Sequence, residues 1–310
     1  MGMDASRPLM LGLVGDSGAG KTTLVRGVVR VLGRDGVTPL CLDDYHRFSR
    51  AELLARGLTA ADPAANNLAL VVQHLDVLRA GGQISKPVYD HRTGTLRGPE
   101  VVAATSLVVA YGMLTLSTPE LAARFDLTVY LDPDEALRRA WRLARDVSER
   151  GYTADEVAAR APARERDAAR FVRVQRPRAD VVVRFRPAPD ARGTELDAEL
   201  LLRHGSVPHP LGALCDRLEG AGLAGLRVVR GCVDEDQRPG DRVQIAGALD
   251  PDAAAAAAAM IWEQLPAIEP LPFDQLGQVR GDGVVRHVPA LGLVQLLLVA
   301  LLVHARAVKA

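Results

Sequence analysis

The segment from Gly15 to Thr23 has the residue types and spacing of a loop that holds phosphate groups. It reads Gly-Asp-Ser-Gly-Ala-Gly-Lys-Thr-Thr, which fits the pattern of Gly, four residues, then Gly-Lys-Thr. Glycines permit positive φ, so successive backbone N–H groups can point into one concavity and cradle phosphate oxygens. We therefore expect a nucleoside triphosphate such as ATP to be bound by Gly15, Asp16, Ser17, Gly18, Ala19, Gly20, Lys21, Thr22 and Thr23.

Lys21 and Thr22 have separate tasks in such a loop. The ammonium of Lys21 can reach the β- and γ-phosphates, and the Thr22 hydroxyl can bind Mg²⁺. Only three of the 38 basic residues are lysines, so a chain that otherwise uses arginine places a lysine in this loop. A glycine-rich turn without a ligand is the alternative. The apolar segment 9–14, predicted as a buried strand, and the helix predicted over 21–32 disfavour it, because they direct a helix N-terminus at the anion.

A second group of polar residues follows the next predicted strand, 37–42. It reads Asp43-Asp44-Tyr45-His46-Arg47, with Arg50 three residues further on. In open α/β sheets the ligand crevice lies at the carboxyl ends of the strands, so this group should lie beside the phosphate loop. A carboxylate there can accept the proton of an attacking hydroxyl, and the basic side chains can bind an anionic acceptor. The alternative is a polar turn with solvated charges.

The rest of the chain continues the alternation of strands and helices. We predict further strands over 106–110, 127–131 and 181–185, and helices over 67–80, 133–150 and part of 154–170. This order is typical of an α/β fold with a mostly parallel sheet between helices. Residues 187–193 are rich in Pro and Gly and predict a boundary, beyond which helices are expected over 253–265 and 291–306. We expect this second region to extend the sheet, to complete the core or to form a contact between copies of the chain.

Composition excludes several function classes. The formal net charge is +0, which disfavours a protein that coats nucleic acid or binds membranes through a polybasic surface. Three cysteines form neither a metal-ligand spacing nor an even set for disulfides. The N-terminus lacks an export signal, and the apolar stretch 288–303 is shorter than the roughly 20 residues of a membrane span. We expect a cytoplasmic protein with a buried C-terminal helix and neither nucleic-acid nor membrane partners.

Several segments in order along the chain resemble phosphoribulokinases, within the group that also contains uridine kinase. The segments are Gly15–Thr23, LDDYHR at 42–47, ADPAANNLALVVQHLDVLRAG at 61–81, KPVYDHRTG at 86–94, WRLARDVSERGY at 141–152, FVRVQRPRADVVV at 171–183, ALDPDAAAAAAAMIWEQL at 248–265 and ALGLVQLLLVALLVHARA at 290–307. The resemblance implies a P-loop kinase fold, a three-layer α/β/α arrangement with a mostly parallel sheet. The core would span 7–186, and a C-terminal α/β extension, packed on the core, would span 194–310.

The resemblance also implies an activity and residue roles. The family transfers the γ-phosphoryl group of ATP, with Mg²⁺, to a hydroxyl of ribulose 5-phosphate, so a sugar phosphate is the expected partner, and a homo-oligomer is compatible with it. The implied catalytic residues are Asp43 as base, Lys21, Arg145 and Asp146. The implied substrate-binding residues are His46, Arg50, Tyr89, His91, Arg142 and Arg150, and the metal ligand is Thr22. Arginines 164, 170, 173, 176 and 178 lie where this group of kinases carries a mobile lid.

The chain departs from the family pattern at the end of the third core strand. Family members carry an acid there that helps to hold Mg²⁺, whereas this chain has Tyr111, or Ala110 if the alignment shifts by one residue. Plant members also carry a redox-switch cysteine where this chain has Ala19. Two alternatives therefore stay open beside a sugar-phosphate kinase. One is a kinase of another small acceptor such as a nucleoside, and the other is a nucleotide-binding homologue without turnover.

Overall fold

The computed structural model describes residues 7–189, 195–205, 212–281 and 284–309. The strands are β1 (Leu9–Gly15), β2 (Val37–Cys41), β3 (Gln83–Asp90), β4 (Thr95–Ala103), β5 (Leu107–Gly112), β6 (Leu127–Leu131), β7 (Val181–Pro187), β8 (Leu196–Arg203), β9 (Leu226–Val233), β10 (Pro239–Ile245), β11 (Gln278–Gly281) and β12 (Val284–His287). The helices are α1 (Lys21–Leu32), α2 (Arg50–Ala55), α3 (Leu68–Arg79), α4 (Pro119–Ala122), α5 (Glu135–Glu149), α6 (Ala154–Asp167), α7 (Gly212–Gly220), α8 (Pro251–Trp262) and α9 (Pro289–Lys309).

The contacts within the chain define two compact units. The first contains Met1–Lys21, Val37–Leu131 and Glu135–Ala179, and the second contains Thr22–Gly36, Asp132–Asp134 and Asp180–Ala310. This grouping differs from the division at 187–193 expected from composition, because strand β7 pairs with β8 and so belongs with the second unit. Residues 190–193 of that expected boundary lie outside the described residues.

The first unit contains a parallel sheet in the order β2–β5–β1–β6. Every residue of β1 and β6 is buried, as expected for strands of a parallel sheet that is covered on both faces. The predicted strands of this sheet are confirmed to within two residues at their ends. The carboxyl ends of β1, β2 and β5 meet at one edge, which brings the phosphate loop and the turn Leu42–Tyr45 together. Strands β3 and β4 form a separate antiparallel hairpin.

The second unit contains an antiparallel arrangement in the order β7–β8–β10–β9. One face is apolar and buried, through residues such as Val183, Leu200 and Val243, and helix α9 packs against β8. The sequence pattern predicted β7 as part of a parallel series, and β8, β9 and β10 were not predicted. Antiparallel strands with one polar face carry a weaker apolar signal than buried parallel strands.

Helix α9 is 21 residues long and is apolar along most of its length. By length and composition its Pro289–Arg306 segment could cross a membrane, so the sequence argument that the stretch is too short was wrong. Of that segment, 78% is buried inside the protein, which is the behaviour of a core helix.

Gly27 of α1 provides a stability test within the second unit. A Cβ at Gly27 would lie 2.0 Å from Cδ of Gln295, whose Oε1 accepts a 2.8 Å hydrogen bond from the Gly277 N–H. We expect Gly27→Ala to lower the free energy of unfolding by about 1–3 kcal/mol, measured by urea denaturation, since overpacking of a full core forces side chains to shift. Gly220→Ala, whose Cβ would meet no atom within 4 Å, is the control. Equal midpoints for the two variants would contradict the packing seen here.

Candidate active site

The phosphate loop is held against helix α5. Gly18 has φ +86° and Gly20 has φ +93°, conformations that side-chain-bearing residues rarely adopt. A Cβ at Gly18 would also lie 2.7 Å from Cβ of Arg142 and 2.9 Å from the carbonyl oxygen of Arg138. The loop therefore needs glycine at this position for two reasons, its backbone conformation and the close approach of α5.

Lys21 points back into the loop. Its Nζ donates hydrogen bonds to the carbonyl oxygens of Gly15, at 2.7 Å, and Asp16, at 3.1 Å. The side chain is buried, and burial lowers the pKa of the ammonium, although the carboxylates of Asp43 and Asp16 act in the opposite direction. Lys21 thus places a buried positive charge within the loop.

Asp43 lies in the turn Leu42–Tyr45, directly after β2. Its Oδ1 accepts a 2.9 Å hydrogen bond from the Met113 N–H, and a Cβ at Gly112 would lie only 3.0 Å from this oxygen. Burial by itself would raise the pKa of the Asp43 carboxyl, but Lys21 and the Met113 N–H hold it below its ordinary value. The carboxylate is therefore ionised at neutral pH and can accept a proton from a neighbouring hydroxyl.

Asp44 has a different environment although it is the next residue. Its carboxylate accepts hydrogen bonds from Nζ of Lys86, at 2.5 Å, and from the Tyr89 N–H, at 3.3 Å. Burial raises the pKa of the Asp44 carboxyl, against the effect of Lys86. Lys86 and Tyr89 lie on β3, so this pair fixes the β3–β4 hairpin to the turn that carries Asp43. Lys86 begins the segment KPVYDHRTG, for which the family resemblance implies roles only at Tyr89 and His91.

Three aromatic rings meet beside the turn. The ring of His46 lies edge-on to those of Tyr89 and His91, with centroids 4.8 Å and 6.4 Å away, and Tyr89 and His91 are 5.0 Å apart. Burial and the charge of Arg150 lower the pKa of His91 to about 4, so its ring is neutral at pH 7. The structure thus brings together the three predicted substrate-side residues of the turn and the hairpin.

Asp146 of α5 is buried among guanidinium groups. Four arginines place a nitrogen within 4 Å of its carboxylate: Arg145 at 2.7 Å, Arg164 at 3.4 Å, Arg142 at 3.5 Å and Arg150 at 3.7 Å. Burial would raise the pKa of Asp146, but Arg145 and its other partners lower it. These contacts indicate that the carboxylate of Asp146 orients the four arginines. The catalytic role expected for Asp146 stays a prediction.

Arg142 and Arg145 point from α5 toward the phosphate loop. Nη2 of Arg145 donates to Oγ of Ser17 at 3.0 Å. The Nε and Nη2 atoms of Arg142 are buried and have no hydrogen-bond partner among the described residues. Burial, together with the neighbouring Arg164, lowers the pKa of Arg142 to about 10, which still leaves it charged at pH 7. One carboxylate for four guanidinium groups leaves an excess of positive charge that suits an anion.

Arg50 and Arg150 form the side of the site nearest the hairpin. Nη2 of Arg50 donates to the carbonyl oxygen of His91 at 2.6 Å, and its guanidinium lies 4.2 Å from the centroid of the Tyr152 ring. Burial and the nearby Arg145 lower the pKa of Arg150. All the predicted site residues of the first unit thus surround one region.

Two more arginines join the loop to helix α6. Oδ2 of Asp16 pairs with Arg138, at 3.2 Å, and with Arg173, at 3.5 Å, and both arginines also pair with Glu165. Arg173 was predicted only as one of the arginines of the lid. Arg138 lies outside all of the motifs found in the sequence. Its position one turn before Arg142 on α5 is the only sequence signal that could have indicated it.

The donor set for a metal ion is small. In the part of the chain that the structure describes, no group of three or more His, Cys, Asp or Glu residues could hold one. Tyr111 lies beside Cys41 in the register of β5 and β2, and burial raises the pKa of its hydroxyl. Mg²⁺ usually binds one or two protein groups and otherwise phosphates and waters. The hydroxyl of Thr22, an exposed residue at the start of α1, stays the predicted ligand for Mg²⁺.

The Lys86–Asp44 pair provides a second stability test. Lys86→Met leaves a buried carboxylate without its partner, which we expect to lower the free energy of unfolding by about 3–5 kcal/mol at pH 7. Loss of Lys86 raises the pKa of Asp44 further above its value in the unfolded chain. Protonation then favours the folded state, so the difference from the wild type should shrink as the pH falls toward 5.

The matched control for Lys86→Met is Arg97→Met on the same hairpin. Arg97 pairs with Asp90 but is 60% exposed, so its loss should change stability little. Urea denaturation at several pH values measures both variants. A Lys86→Met variant as stable as Arg97→Met would show that the ion pair does not fix the hairpin.

Comparison with known proteins places this arrangement in a family. A sequence model of the phosphoribulokinase/uridine kinase family matches residues 10–191. Phosphoribulokinase from Synechocystis sp. is 38% identical over 181 residues, which are 58% of this chain and 54% of that protein. Uridine kinase from Deinococcus deserti is 39% identical over 154 residues, or 49% of this chain and 74% of that protein. The chain spans about half the length of the curated phosphoribulokinases it matches.

One solved structure has a similar fold over most of this chain. Phosphoribulokinase from Rhodobacter spheroides superposes with a TM-score of 0.61 over 85% of this chain and 97% of that chain, at 18% sequence identity. This match confirms the expected P-loop kinase fold with a mostly parallel sheet. Since the family model covers more than half of the residues, the chain belongs to the phosphoribulokinase/uridine kinase family.

Proposed function

We propose that this protein is a kinase that transfers the γ-phosphoryl group of ATP to a hydroxyl of a sugar phosphate, with ribulose 5-phosphate as the preferred acceptor and ribulose 1,5-bisphosphate as the product. The observation that carries the proposal is the position of Asp43. It is an ionised carboxylate on a turn at the carboxyl end of β2, with its charge coupled to Lys21 of the phosphate loop. That position suits a base acting on a hydroxyl that approaches the γ-phosphate.

The loop and helix α5 supply the groups that bind the triphosphate. Lys21 offers an ammonium, and Arg142 offers buried N–H groups that make no hydrogen bond among the described residues, although its Nε lies 3.5 Å from Asp146. As the acceptor oxygen bonds to the γ-phosphorus, the bond to the oxygen bridging the β- and γ-phosphorus atoms breaks and ADP leaves. Asp43 takes the hydroxyl proton, while Lys21 and Arg145 stabilise negative charge on the phosphoryl oxygens. Mg²⁺, bound through Thr22 and the phosphates, would neutralise further charge on the triphosphate.

A second cationic group favours an acceptor that is itself an anion. Arg50 and Arg150 lie next to each other, since Nη2 of Arg50 is 3.4 Å from the carbonyl oxygen of Arg150. The charge of Arg150 acts on both Asp43 and His91. Guanidinium groups bind phosphate strongly. An uncharged nucleoside would offer these two groups no anion beyond Asp146, which lies 3.7 Å from Arg150.

Release of ADP with Mg-ATP and a panel of acceptors tests the proposal. The panel contains ribulose 5-phosphate, uridine and no acceptor. Turnover with uridine and not with ribulose 5-phosphate would support the uridine kinase alternative and exclude the proposed acceptor. ATP binding without turnover on any acceptor would support the non-catalytic alternative, which the absent strand-end acid favours.

Asp43→Asn tests the base directly. The amide cannot accept the proton, so we expect kcat to fall by about 10²- to 10⁴-fold while the Kd of ATP measured by calorimetry stays the same. Asp35→Asn, at an exposed position, is the matched control and should keep wild-type kcat. If Asp43→Asn turned over at the wild-type rate, another group would have to be the base.

Tyr111→Glu tests the missing acid. A carboxylate at the end of β5 would add a ligand for Mg²⁺, so we expect kcat to rise at saturating Mg²⁺. Tyr111→Phe, which removes the hydroxyl without adding a carboxylate, should leave kcat unchanged. A folded Tyr111→Glu variant with unchanged or lower kcat would contradict the expectation that a carboxylate at this position binds Mg²⁺ and raises the rate.

A further inference from the structure

A buried hydrogen bond joins His46 to Asn66. Nδ1 of His46 lies 2.7 Å from Oδ1 of Asn66, and both residues are more than nine-tenths buried. The orientation of the Asn66 amide is fixed by its other contacts, because Nδ2 donates to the carbonyl oxygens of Ala60, at 3.0 Å, and Asp62, at 2.8 Å. A carbonyl oxygen can only accept, so the amide nitrogen must face these two groups and Oδ1 must face the histidine.

This contact determines which ring nitrogen carries the proton. Oδ1 of Asn66 cannot donate, so Nδ1 of His46 must be the donor and must bear hydrogen. The other nitrogen, Nε2, has no hydrogen-bond partner in the described ranges, and it is not among the fully enclosed unpartnered atoms. In a neutral ring Nε2 therefore presents a lone pair to a ligand.

The backbone around Asn66 makes the arrangement rigid. Residues 46 and 66 form an antiparallel bridge. On either side of it, the Arg47 N–H donates to the Ala65 carbonyl at 2.8 Å and the Asn67 N–H donates to the Tyr45 carbonyl at 2.9 Å. The segment 60–67 thus fixes the turn that carries the proposed base as well as the ring of His46.

The charged and titratable groups that face His46 come from three elements. They are Asp43 and Asp44 of its own turn, Tyr89 and His91 of the hairpin, and Arg150 after helix α5. Burial lowers the pKa of His46, and Arg150 acts in the same direction, while the two carboxylates oppose them. The ring is consequently neutral at pH 7, in agreement with the geometry of its hydrogen bond.

We propose that Asn66 is a positioning residue that holds His46 as the Nδ1–H tautomer, so that Nε2 accepts a hydrogen bond from a hydroxyl of the acceptor substrate. The identity of the ligand rests on the proposed kinase function. A neutral ring with a lone pair attracts an O–H donor but not a phosphate oxygen, which has no hydrogen to offer at neutral pH. His46 therefore recognises the sugar, and phosphate binding is left to Arg50 and Arg150.

The tautomer is measured without turnover, by ¹⁵N NMR of the histidine ring nitrogens at pH 7. His46→Gln assigns the His46 signals in the spectrum of the intact protein. We expect Nδ1 in the protonated range and Nε2 in the unprotonated range for the wild type. Asn66→Ala should give a mixture of tautomers, and Asn66→Asp should shift the ring toward the imidazolium, because a carboxylate stabilises it. An Nε2–H tautomer or an imidazolium in the wild type would overturn the proposal, whatever the protein's activity.

Steady-state kinetics test the contact with the hydroxyl. His46→Gln keeps an acceptor oxygen, whereas His46→Arg keeps only a cation. We expect the KM for ribulose 5-phosphate to rise up to roughly tenfold in His46→Gln, as for loss of a neutral hydrogen bond, and further in His46→Arg. The reverse order would mean a phosphate contact and would refute the inference. Thr118→Ala, which removes the cap of helix α4 and not the histidine contact, should leave both the ¹⁵N spectrum of His46 and this KM unchanged.

Discussion

The attraction between Asp43 and Lys21 is the interaction on which the rest of the site depends. Both groups are buried, and the charge of each opposes the effect of burial on the pKa of the other. The phosphate loop follows β1 and the turn follows β2, and because these two strands flank β5 in the parallel sheet, their carboxyl ends meet at one edge. The absence of a side chain at Gly112 and the N–H of Met113 complete the support for the carboxylate.

Positive charge around this pair is concentrated by a single acidic residue. Asp146 allows four arginines to lie close together, although guanidinium groups repel one another, because each of them is paired with the same carboxylate. Their excess charge is directed at the space in front of the loop. The same carboxylate links helices α5 and α6, because Arg164 of α6 lies 3.4 Å from Asp146 of α5.

The sequence predicted the elements that position the site better than it predicted the contacts within it. Buried parallel strands such as β1 and helices such as α1 have continuous or periodic apolar patterns, so their bounds were predicted to within one or two residues. Strand β7 was predicted, whereas β8, β9 and β10 were missed. Asp44 and Lys86 are 42 positions apart, and no local pattern indicates that a carboxylate will find its partner across such a distance. Family resemblance identified the residues around the loop but not the role of Asn66 or Arg138.

The β3–β4 hairpin has a consequence for how acceptor choice can change. It forms its own two-stranded sheet and carries Tyr89 and His91, while Asp43 and Lys21 belong to the parallel sheet and its loop. The hairpin reaches the turn after β2 through the buried Lys86–Asp44 pair and a few ring contacts. Replacing this hairpin of about twenty residues would therefore change Tyr89 and His91 and leave Asp43 and Lys21 in place, provided that the replacement keeps a partner for Asp44.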